Sequence, residues 1–400
     1  MSFAEASLWK ETSPRYTESN PSLGAVCPKD APQSPLISVI MPTFNLHRYT
    51  ADALESVYRQ TYPHWELLVV DDGSTDHTLS VVRRWHARRQ NDPRVKVIST
   101  PYNVGIAGAR NTALRLAEGQ YIAFLDADDL YEPDALEKLL TALQQHPQWD
   151  MVHGHYTTID SANYPLERDQ SVVVPANGGG WQWNERFIPN SVHKIVTESF
   201  IHFFSATLMR RSVLETVGLQ NETLPPAEDF EYFCRMLLFH GQTLGYLPTP
   251  VYRYRIHTAS ATKDPRRLQN NIQRCRLVRR WLFAHPQLPS EALGYESESY
   301  ARMYGYWGRE RLLDGNPELT LNVMAQAWQD PQVKAKDWLA HCLPLTIRAC
   351  LPAALEFNLR SERRQAFWNR LHWVGSGLRA LERWLQTLLS TPATPSLQKA

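Results

Sequence analysis

The sequence of 400 residues has few cysteines, little net charge and no long apolar run. The five cysteines form no paired spacing that would bind a metal, and their number is odd, so we expect a reducing compartment. A formal net charge of +1 gives no reason to expect nucleic acid as a partner. No apolar run is long enough to cross a bilayer, and the first residues lack the apolar core of a signal peptide. We therefore expect a cytoplasmic protein.

The overall composition is that of a globular protein. Apolar residues make up 43% and charged residues 21% of the chain, which excludes a disordered or fibrous protein. Residues 1–34 are rich in Ser, Pro, Glu and Asn and have no periodicity, so we interpret them as a mobile tail. The folded part is expected to begin at residue 35.

Short apolar segments then alternate with amphipathic ones. The predicted strands are LISVIM, ELLVV, VKVIS and YIAFL, and the predicted helices span 49–60, 76–90, 106–118 and 133–146. This alternation predicts an α/β fold with a mostly parallel sheet and helices on both faces. Ligands of such sheets bind beyond the carboxyl ends of the strands. The acidic and glycine-containing turns of this sequence lie at those ends.

Three carboxylates follow the fourth strand, in the segment YIAFLDADDLYEP. Asp126, Asp128 and Asp129 end a buried strand, ahead of a helix that Pro133 can open at its first position. Crowded like charges are unfavourable unless a cation joins them, and hard oxygen ligands suit Mg²⁺ or Mn²⁺, which in turn hold phosphates. Helix capping, the alternative, accounts for one of the three. We predict a metal and diphosphate site here.

The turn after the second strand, DDGSTD, has two acids that turn formation does not explain. Gly73 suits a tight turn, and Asp76 or a neighbouring hydroxyl residue can cap the next helix. Asp71 and Asp72 then remain, and a carboxylate at a strand end can accept the ring N–H of a base or a ribose hydroxyl.

The turn after the third strand, NVGIAGARN, has glycines at a helix start. Gly105 and Gly108 permit close backbone approach, and a helix start favours anions, so this turn is expected to face a nucleotide. Arg110 follows inside the helix. The alternative for Arg110 is a surface salt bridge.

Taken together, the runs ISVIMPTFN, ELLVVDDGSTD, NVGIAGARNTAL and YIAFLDADDLYEPDALEKLL resemble the family 2 glycosyltransferases in order and spacing across residues 36–145. The resemblance implies a GT-A fold, a nucleotide-sugar donor, a divalent metal and an inverting reaction. A UDP-sugar is the default donor and a glycan or other hydroxyl compound is the acceptor. The expected role is glycan or polysaccharide synthesis.

The same resemblance assigns roles to single residues. Asp72 would contact the base, Asp126 the ribose or the metal, and Asp128 the metal bound to the diphosphate. The other residues expected to bind the nucleotide sugar are Pro42, Phe44, Asn45, Asn103, Gly105, Arg110, Asn111 and Ala127.

The second half of the resemblance concerns the acceptor. Glycines 178–180 lie beside Trp181 and Trp183, which fits an acceptor loop or, equally, a loop anchored on the core by its tryptophans. Further on, Glu228 and Asp229 begin an apolar-periodic helix, where acids are also favoured by the helix dipole. By resemblance, Asp229 is the base that removes the proton from the acceptor hydroxyl. Glu228 is the alternative base and otherwise positions Asp229.

The segment YRYRIH ends the resemblance. A solitary histidine is usually a packed or surface residue, but by resemblance His257 lies near the diphosphate and binds metal or phosphate.

The remaining chain reads as helical and resembles nothing. An apolar stripe with arginines at 361–390 predicts a partner helix or, as the sharper alternative, peripheral contact with the anionic inner face of a membrane. We therefore divide the chain into a tail (1–34), a catalytic domain (35–262, with a nucleotide-sugar half at 35–145 and an acceptor half at 146–262) and a helical extension (263–400).

Two other classes of function compete with this interpretation. A phosphatase with an Asp-x-Asp nucleophile typically has that motif on its first strand, whereas here it follows the fourth. A non-catalytic relative that binds nucleotide or glycan within a larger assembly remains the alternative, against which Asp128 and Asp229 argue.

Overall fold

The computed structural model describes residues 34–166, 191–197, 204–223, 227–257 and 264–350. Three predicted segments lie outside the described residues: 1–33 of the tail, the glycine- and tryptophan-rich loop around 178–183, and the stripe at 361–390.

Within the described ranges, the strands form one mixed sheet. They are β1 (Ile37–Thr43), β2 (Trp65–Asp71), β3 (Val95–Ser99), β4 (Tyr121–Phe124), β5 (Leu130–Tyr131), β6 (Met151–Ile159), β7 (Thr207–Arg210) and β8 (Leu244–Arg255). Their order across the sheet is β3-β2-β1-β4-β7-β6-β8-β5. The first four strands in that order are parallel, as predicted. Beyond β4 the sheet changes character, because β7 runs antiparallel to both β4 and β6.

Four helices connect and cover the strands of the first half. They are α1 (Thr50–Tyr58), α2 (Thr78–Arg88), α3 (Gly105–Leu114) and α4 (Ala135–Gln145). Each lies within or at the edge of its predicted span. Every residue of β1 and β2 is buried, as expected of strands covered on both faces. The core contains Val39, Leu67 and Leu54, with α3 packed on β1 and β2 and α4 on β6 and β8.

The predicted start of α4 is wrong by two residues. Pro133 does not open the helix, which begins at Ala135. The reason is the short strand β5, which pairs with Tyr252 and Arg253 of β8, after which the Glu132 N–H donates to the Val251 carbonyl at 2.9 Å. These long-range bonds hold the chain extended until Glu132.

Short helices lie beside the half of the sheet that contains β7. They are α5 (Val192–Thr197), α6 (Arg211–Val217) and α7 (Glu228–Cys234), and α7 continues as a π-helical turn over Arg235–Phe239. α6 follows β7 directly, and α7 precedes β8.

The described chain after the sheet is helical. It consists of α8 (Leu268–Ala284), α9 (Glu296–Leu313), α10 (Pro317–Gln329), α11 (Ala335–His341) and α12 (Leu343–Cys350). These helices have a hydrophobic core of their own, which includes Ile272, Met303, Trp307, Met324 and Trp338. The domain boundary at residue 263 stays a prediction. None of the helices in the described part of the chain has the length and apolarity needed to cross a membrane.

The turn after β2 depends on Gly73. Its φ is +67°, and a Cβ built there would lie 2.7 Å from the Tyr102 carbonyl carbon. Gly73→Ala should therefore combine left-handed strain of about 1–2 kcal/mol with a backbone clash. Gly241→Ala is the matched control, because Gly241 has a φ of +62° with nothing within 4 Å of its virtual Cβ.

Urea denaturation should show a larger loss of unfolding free energy for Gly73→Ala than for Gly241→Ala. Equal losses would contradict the close approach of the two turns.

Candidate active site

The turns after β1 and β2 are joined by Asn45. Its φ of +55° is unusual for a residue with a side chain. Its Oδ1 accepts hydrogen bonds from the Thr75 and Asp76 N–H groups, at 2.9 and 3.3 Å, and its own N–H donates to the Ser74 hydroxyl at 3.0 Å. Asp76 also accepts from the Thr78 N–H at 2.8 Å, although the N-cap residue of α2 is His77, which makes no side-chain cap hydrogen bond. Asn45 therefore shapes the edge of the sheet.

Asp72 holds the start of α3. Its Oδ1 accepts from the Val104 N–H at 2.8 Å and its Oδ2 from the Gly105 N–H at 3.0 Å. Asn103 donates from its side chain to the Asp72 carbonyl at 3.3 Å. The side chain is buried, so both oxygens of Asp72 are used to anchor the loop. The base contact assigned to Asp72 stays a prediction.

Asp71, the last residue of β2, has a carboxylate oxygen that accepts no hydrogen bond from the described residues. It is 1% exposed, and its Oδ2 accepts from the Ser74 N–H at 3.3 Å. Its Oδ1 is buried with no hydrogen-bond partner among the described residues. Residue chemistry alone left Asp71 and Asp72 equivalent, and the family resemblance assigned the base contact to Asp72. The fold of the loop at 103–105 distinguishes their hydrogen bonding.

Arg110 connects the acidic turn after β4 to the start of α7. Its guanidinium donates to Asp126 Oδ1 at 2.9 Å and to Glu228 Oε1 at 3.3 Å. It lies 5.1 Å from the centre of the Phe204 ring and is 3% exposed. Burial alone would lower the pKa of Arg110, but the charges of Asp126 and Glu228 outweigh burial and raise it. The alternative of a surface salt bridge is wrong, because the Arg110 side chain is buried, as is its partner Glu228, while Asp126 is partly exposed.

Asn111, the next residue, fixes the chain that leads to α7. Its side-chain amide donates to the Gln220 carbonyl at 2.8 Å and accepts from the Gln220 N–H at 2.9 Å. The same amide donates to Glu222 at 2.8 Å. Asn111 is 1% exposed. Its side-chain amide therefore satisfies both backbone groups of Gln220 where water cannot reach them. The structure thus gives Asn111 a positioning contact; its predicted nucleotide contact stays a prediction.

Glu228 and Asp229 begin α7 beside Arg110. Burial raises the pKa of Glu228, although the Arg110 charge opposes it. Burial and the Glu228 carboxylate raise the pKa of Asp229 to about 8. Asp229 is half-buried, and its Oδ1 accepts from the Phe230 N–H at 2.6 Å. A carboxylate with a pKa near neutrality can accept a proton and release it again.

The three acids after β4 differ in exposure. The side chains of Asp126 and Asp128 are 27% and 21% exposed. Asp129 is buried, accepts from the Arg255 N–H at 2.7 Å and pairs with the Tyr252 hydroxyl. Burial beside Asp128 and Asp126 raises the pKa of Asp129 well above its usual range. The crowding foreseen in the sequence therefore favours the neutral form of Asp129.

His257 contacts Asp128 directly. Its Nε2 lies 3.0 Å from Asp128 Oδ2, and its ring centre lies 4.6 Å from that of Tyr49. Its Nδ1 is buried without a partner among the described residues. The Arg255 side chain also contacts this acid, since its Nε donates to the Asp128 carbonyl at 2.5 Å. Arg255 is buried and acts on the backbone of the acidic turn.

The other predicted residues lie at the same strand ends. Pro42 and Ala127 are buried, whereas Phe44 is 38% exposed. The site residues thus form two groups, one around Asp72 and one around Asp126. The helix α3 joins them, since Gly105 belongs to the first group and Arg110 to the second.

The acids after β4 were also compared with the arrangement that a metal ion requires. Within the described ranges, no three His, Cys, Asp or Glu side chains are arranged to hold a metal ion. Mg²⁺ is typically bound by one or two carboxylates together with water and substrate phosphates. Asp126 and Asp128, both partly exposed, fit that mode of binding, whereas Asp129 is buried and bonded to Arg255 and Tyr252.

Comparison with known proteins gives matches over the first half of the chain. Residues 38–218 match the family model described as Glycosyl transferase family 2. The Escherichia coli UDP-Glc:alpha-D-GlcNAc-diphosphoundecaprenol beta-1,3-glucosyltransferase WfgD is 39% identical over 126 residues, which are 32% of this chain and 47% of that protein. The Escherichia coli chondroitin synthase is 34% identical over 202 residues, which are 50% of this chain and 26% of the synthase. The chain thus spans about half the length of the first relative and about a quarter of the second.

Among solved structures, the mannosyltransferase PcManGT from Pyrobaculum calidifontis, in complex with GDP-Man and Mn²⁺, is similar in fold. The TM-score is 0.50 and the identity 21%, covering 80% of this chain and 87% of that one. The predicted GT-A fold is confirmed.

Substitution of Asp129 should separate its neutral form from its charged form. Asp129→Ala leaves the Arg255 N–H and the Tyr252 hydroxyl without this partner, a loss of about 1–3 kcal/mol for each buried group. In the structure the Tyr252 hydroxyl donates to Asp129. Asp129→Asn keeps an acceptor for the Arg255 N–H and presents an N–H to the Tyr252 oxygen, as a neutral Asp129 would, so its unfolding free energy at pH 7 should stay near that of the wild type. Urea denaturation measures both. An Asn variant as unstable as the Ala variant would mean that the charged carboxylate is required.

Proposed function

Because the chain carries a domain of glycosyl transferase family 2 over residues 38–218, we propose that the protein is a glycosyltransferase. It moves a sugar from a nucleoside-diphosphate sugar to an acceptor hydroxyl, in the synthesis of a glycan or polysaccharide. The observation that carries the proposal is the buried guanidinium of Arg110, which contacts both Asp126 and Glu228. One ion-pair cluster thus links the acids expected at the donor diphosphate to the helix expected to supply the base.

The donor would bind across the ends of β1, β2 and β4. The free Oδ1 of Asp71 is an acceptor suited to the ring N–H of a base, and the exposed ring of Phe44 is suited to stacking. UDP is the proposed nucleotide, as in the name of the Escherichia coli relative, which uses UDP-Glc. In this proposal Asp72 anchors the loop at 103–105, and Asp71 accepts a hydrogen bond from the base.

Asp126 and Asp128 would hold Mn²⁺ or Mg²⁺ together with the donor diphosphate. When bound, the ion stabilises the negative charge that grows on the departing diphosphate. His257 contacts Asp128 rather than open solvent, so its proposed role is to orient that carboxylate.

The proposed chemistry is a single displacement. Asp229 takes the proton of the acceptor hydroxyl, and the hydroxyl oxygen forms a bond to the anomeric carbon. The bond from that carbon to the diphosphate oxygen breaks, and the nucleoside diphosphate leaves with the electron pair. Attack from the face opposite the leaving group inverts the anomeric configuration. Arg110 keeps the base helix beside the acidic turn during this step.

The pH dependence of transfer should report Asp229. A base works only when deprotonated, so kcat/KM should rise about tenfold per pH unit below pH about 8 and level off above it. Asp229→Asn should lower kcat by about 10²- to 10⁴-fold and leave nucleotide binding intact. Initial rates of nucleoside diphosphate release, measured from pH 6 to 9.5, test both. Transfer by Asp229→Asn near the wild-type rate would refute this base.

The same pKa shift predicts a stability difference. The folded state holds the Asp229 proton more tightly than the unfolded chain, whose ordinary value is 3.8. Stability should therefore be lost as pH rises from about 4 through about 8. Melting temperatures of Asp229→Asn should exceed those of the wild type above pH 8 and lose that excess near pH 4.

Donor and metal binding should appear as thermal stabilisation. A ligand at 100 times its Kd stabilises the folded state by about 2.7 kcal/mol. We expect one of UDP-, GDP- and dTDP-sugars to raise the melting temperature further with Mn²⁺ than without it. Asp128→Ala should lose the metal-dependent part, whereas Asp134→Ala, whose carboxylate pairs with Lys138 at the surface, should keep it.

No metal-dependent shift with any donor would favour a non-catalytic relative or an enzyme that needs a partner. Binding of donor without release of nucleoside diphosphate in the presence of acceptors would favour the same conclusion.

A further inference from the structure

Arg279, on α8, is a buried cation held by neutral oxygens. It is 3% exposed. Its Nε donates to both the carbonyl and the hydroxyl of Ser299, each at 3.1 Å, and its Nη1 donates to the Cys275 carbonyl at 3.4 Å. Burial lowers the pKa of Arg279 from its usual value. A charge placed in such surroundings opposes folding unless its contacts compensate for the lost water.

One of those contacts is with the helix of the proposed base. The Arg279 guanidinium carbon lies 4.6 Å from the centre of the Phe230 ring, in the range of a cation–π interaction. Phe230 follows Asp229, and its N–H donates to the Asp229 carboxylate at 2.6 Å. A shift of the Phe230 ring would therefore move the backbone that carries the base.

A second contact leads to the acceptor side of the sheet. Ser299 belongs to α9, and its hydroxyl donates to the Val196 carbonyl of α5. The Ser299 hydroxyl thus receives a hydrogen bond from Arg279 and gives one to α5. α5 also packs against α7. Three elements that are distant in sequence, α5, α7 and α9, meet around one guanidinium.

The contacts of Arg279 differ from those of Arg276 and Arg280. Arg276, one turn earlier on α8, pairs with Asp330 at 2.8 Å and so joins two helices of the same segment. Arg280 is exposed. Arg279 instead reaches out of the helical segment to the base helix.

We propose that Arg279 is a positioning residue that holds the base helix α7 and the acceptor-side helix α5 against each other, which makes the helical segment after the sheet a working part of the transfer site. This inference rests on the proposed role of Asp229 as the base. Removal of Arg279 should impair the chemical step and leave the donor site intact, because the donor residues lie on β1, β2, β4 and α3.

The test compares Arg279→Met, Arg279→Lys and the control Arg280→Met in the full-length chain. Arg279→Met keeps the apolar stem and loses the charge and the hydrogen bonds. It should lower kcat by roughly 10- to 100-fold, the effect of a small misplacement of a catalytic group, with the donor KM nearly unchanged. Arg279→Lys keeps a cation over the Phe230 ring and should recover part of kcat. Arg280→Met should behave as the wild type.

A double-mutant cycle tests whether Arg279 acts through the ring. If it does, Phe230→Leu and Arg279→Met together should lower kcat by less than the product of their separate effects. Multiplicative effects would overturn the proposed route, and an unchanged kcat in folded Arg279→Met would overturn the positioning role itself.

Two further variants, Ser299→Ala and Asp229→Asn, complete the test. Should Arg279→Met not fold, Ser299→Ala breaks the same link with a smaller change, and a kcat equal to the wild type in that variant would overturn the proposal. The Asp229→Asn assay separates the two possible failures. Activity in Asp229→Asn refutes the base, whereas an inactive Asp229→Asn beside a fully active Arg279→Met refutes only the positioning role.

Discussion

The buried ion pairs of Arg110 are the interaction on which the candidate site depends. Its guanidinium is the cation between Asp126, which follows β4, and Glu228, which begins α7. Breaking a buried pair by removing one partner typically costs about 3–5 kcal/mol, because the other charge stays buried and uncompensated. The two halves of the sheet are thus joined at their active end by electrostatics as well as by strand pairing.

The helix α3 organises both halves, and its sequence explains how. Asp72 holds its first turn, and the small residues Ala107 and Ala109 let it approach β1 and β2 closely. The close approach buries Arg110 and Asn111, which then satisfy their polar groups by reaching over to α7 and the loop before it. Residues expected to touch the nucleotide sugar therefore also hold α7 and the loop before it.

The sequence alone predicts the first half of the fold well, since its four strand-helix units are local and periodic. The second half could not be predicted in the same way, because β7 pairs with β4 across 85 to 89 positions of the chain, and no local pattern announces such a pairing. Within the site, sequence places the acids at the strand ends but does not tell which oxygens stay free. Asp71 and Asp72 are adjacent and chemically identical. They differ only because the loop at 103–105 donates hydrogen bonds to both carboxylate oxygens of Asp72. The burial of Asp129 against Tyr252 is likewise a property of the finished sheet.

The Arg110–Glu228 pair spans 118 positions of the chain. At about 5–20 residues per second, a ribosome needs roughly 6–24 s to synthesise that interval. During this time the nascent first half contains Arg110, whose guanidinium is buried in the folded protein, but only Asp126 of its two carboxylate partners. We therefore expect the packing around α3 to stay incomplete until Glu228 has been synthesised. The residues around Arg110 then reach their final arrangement together.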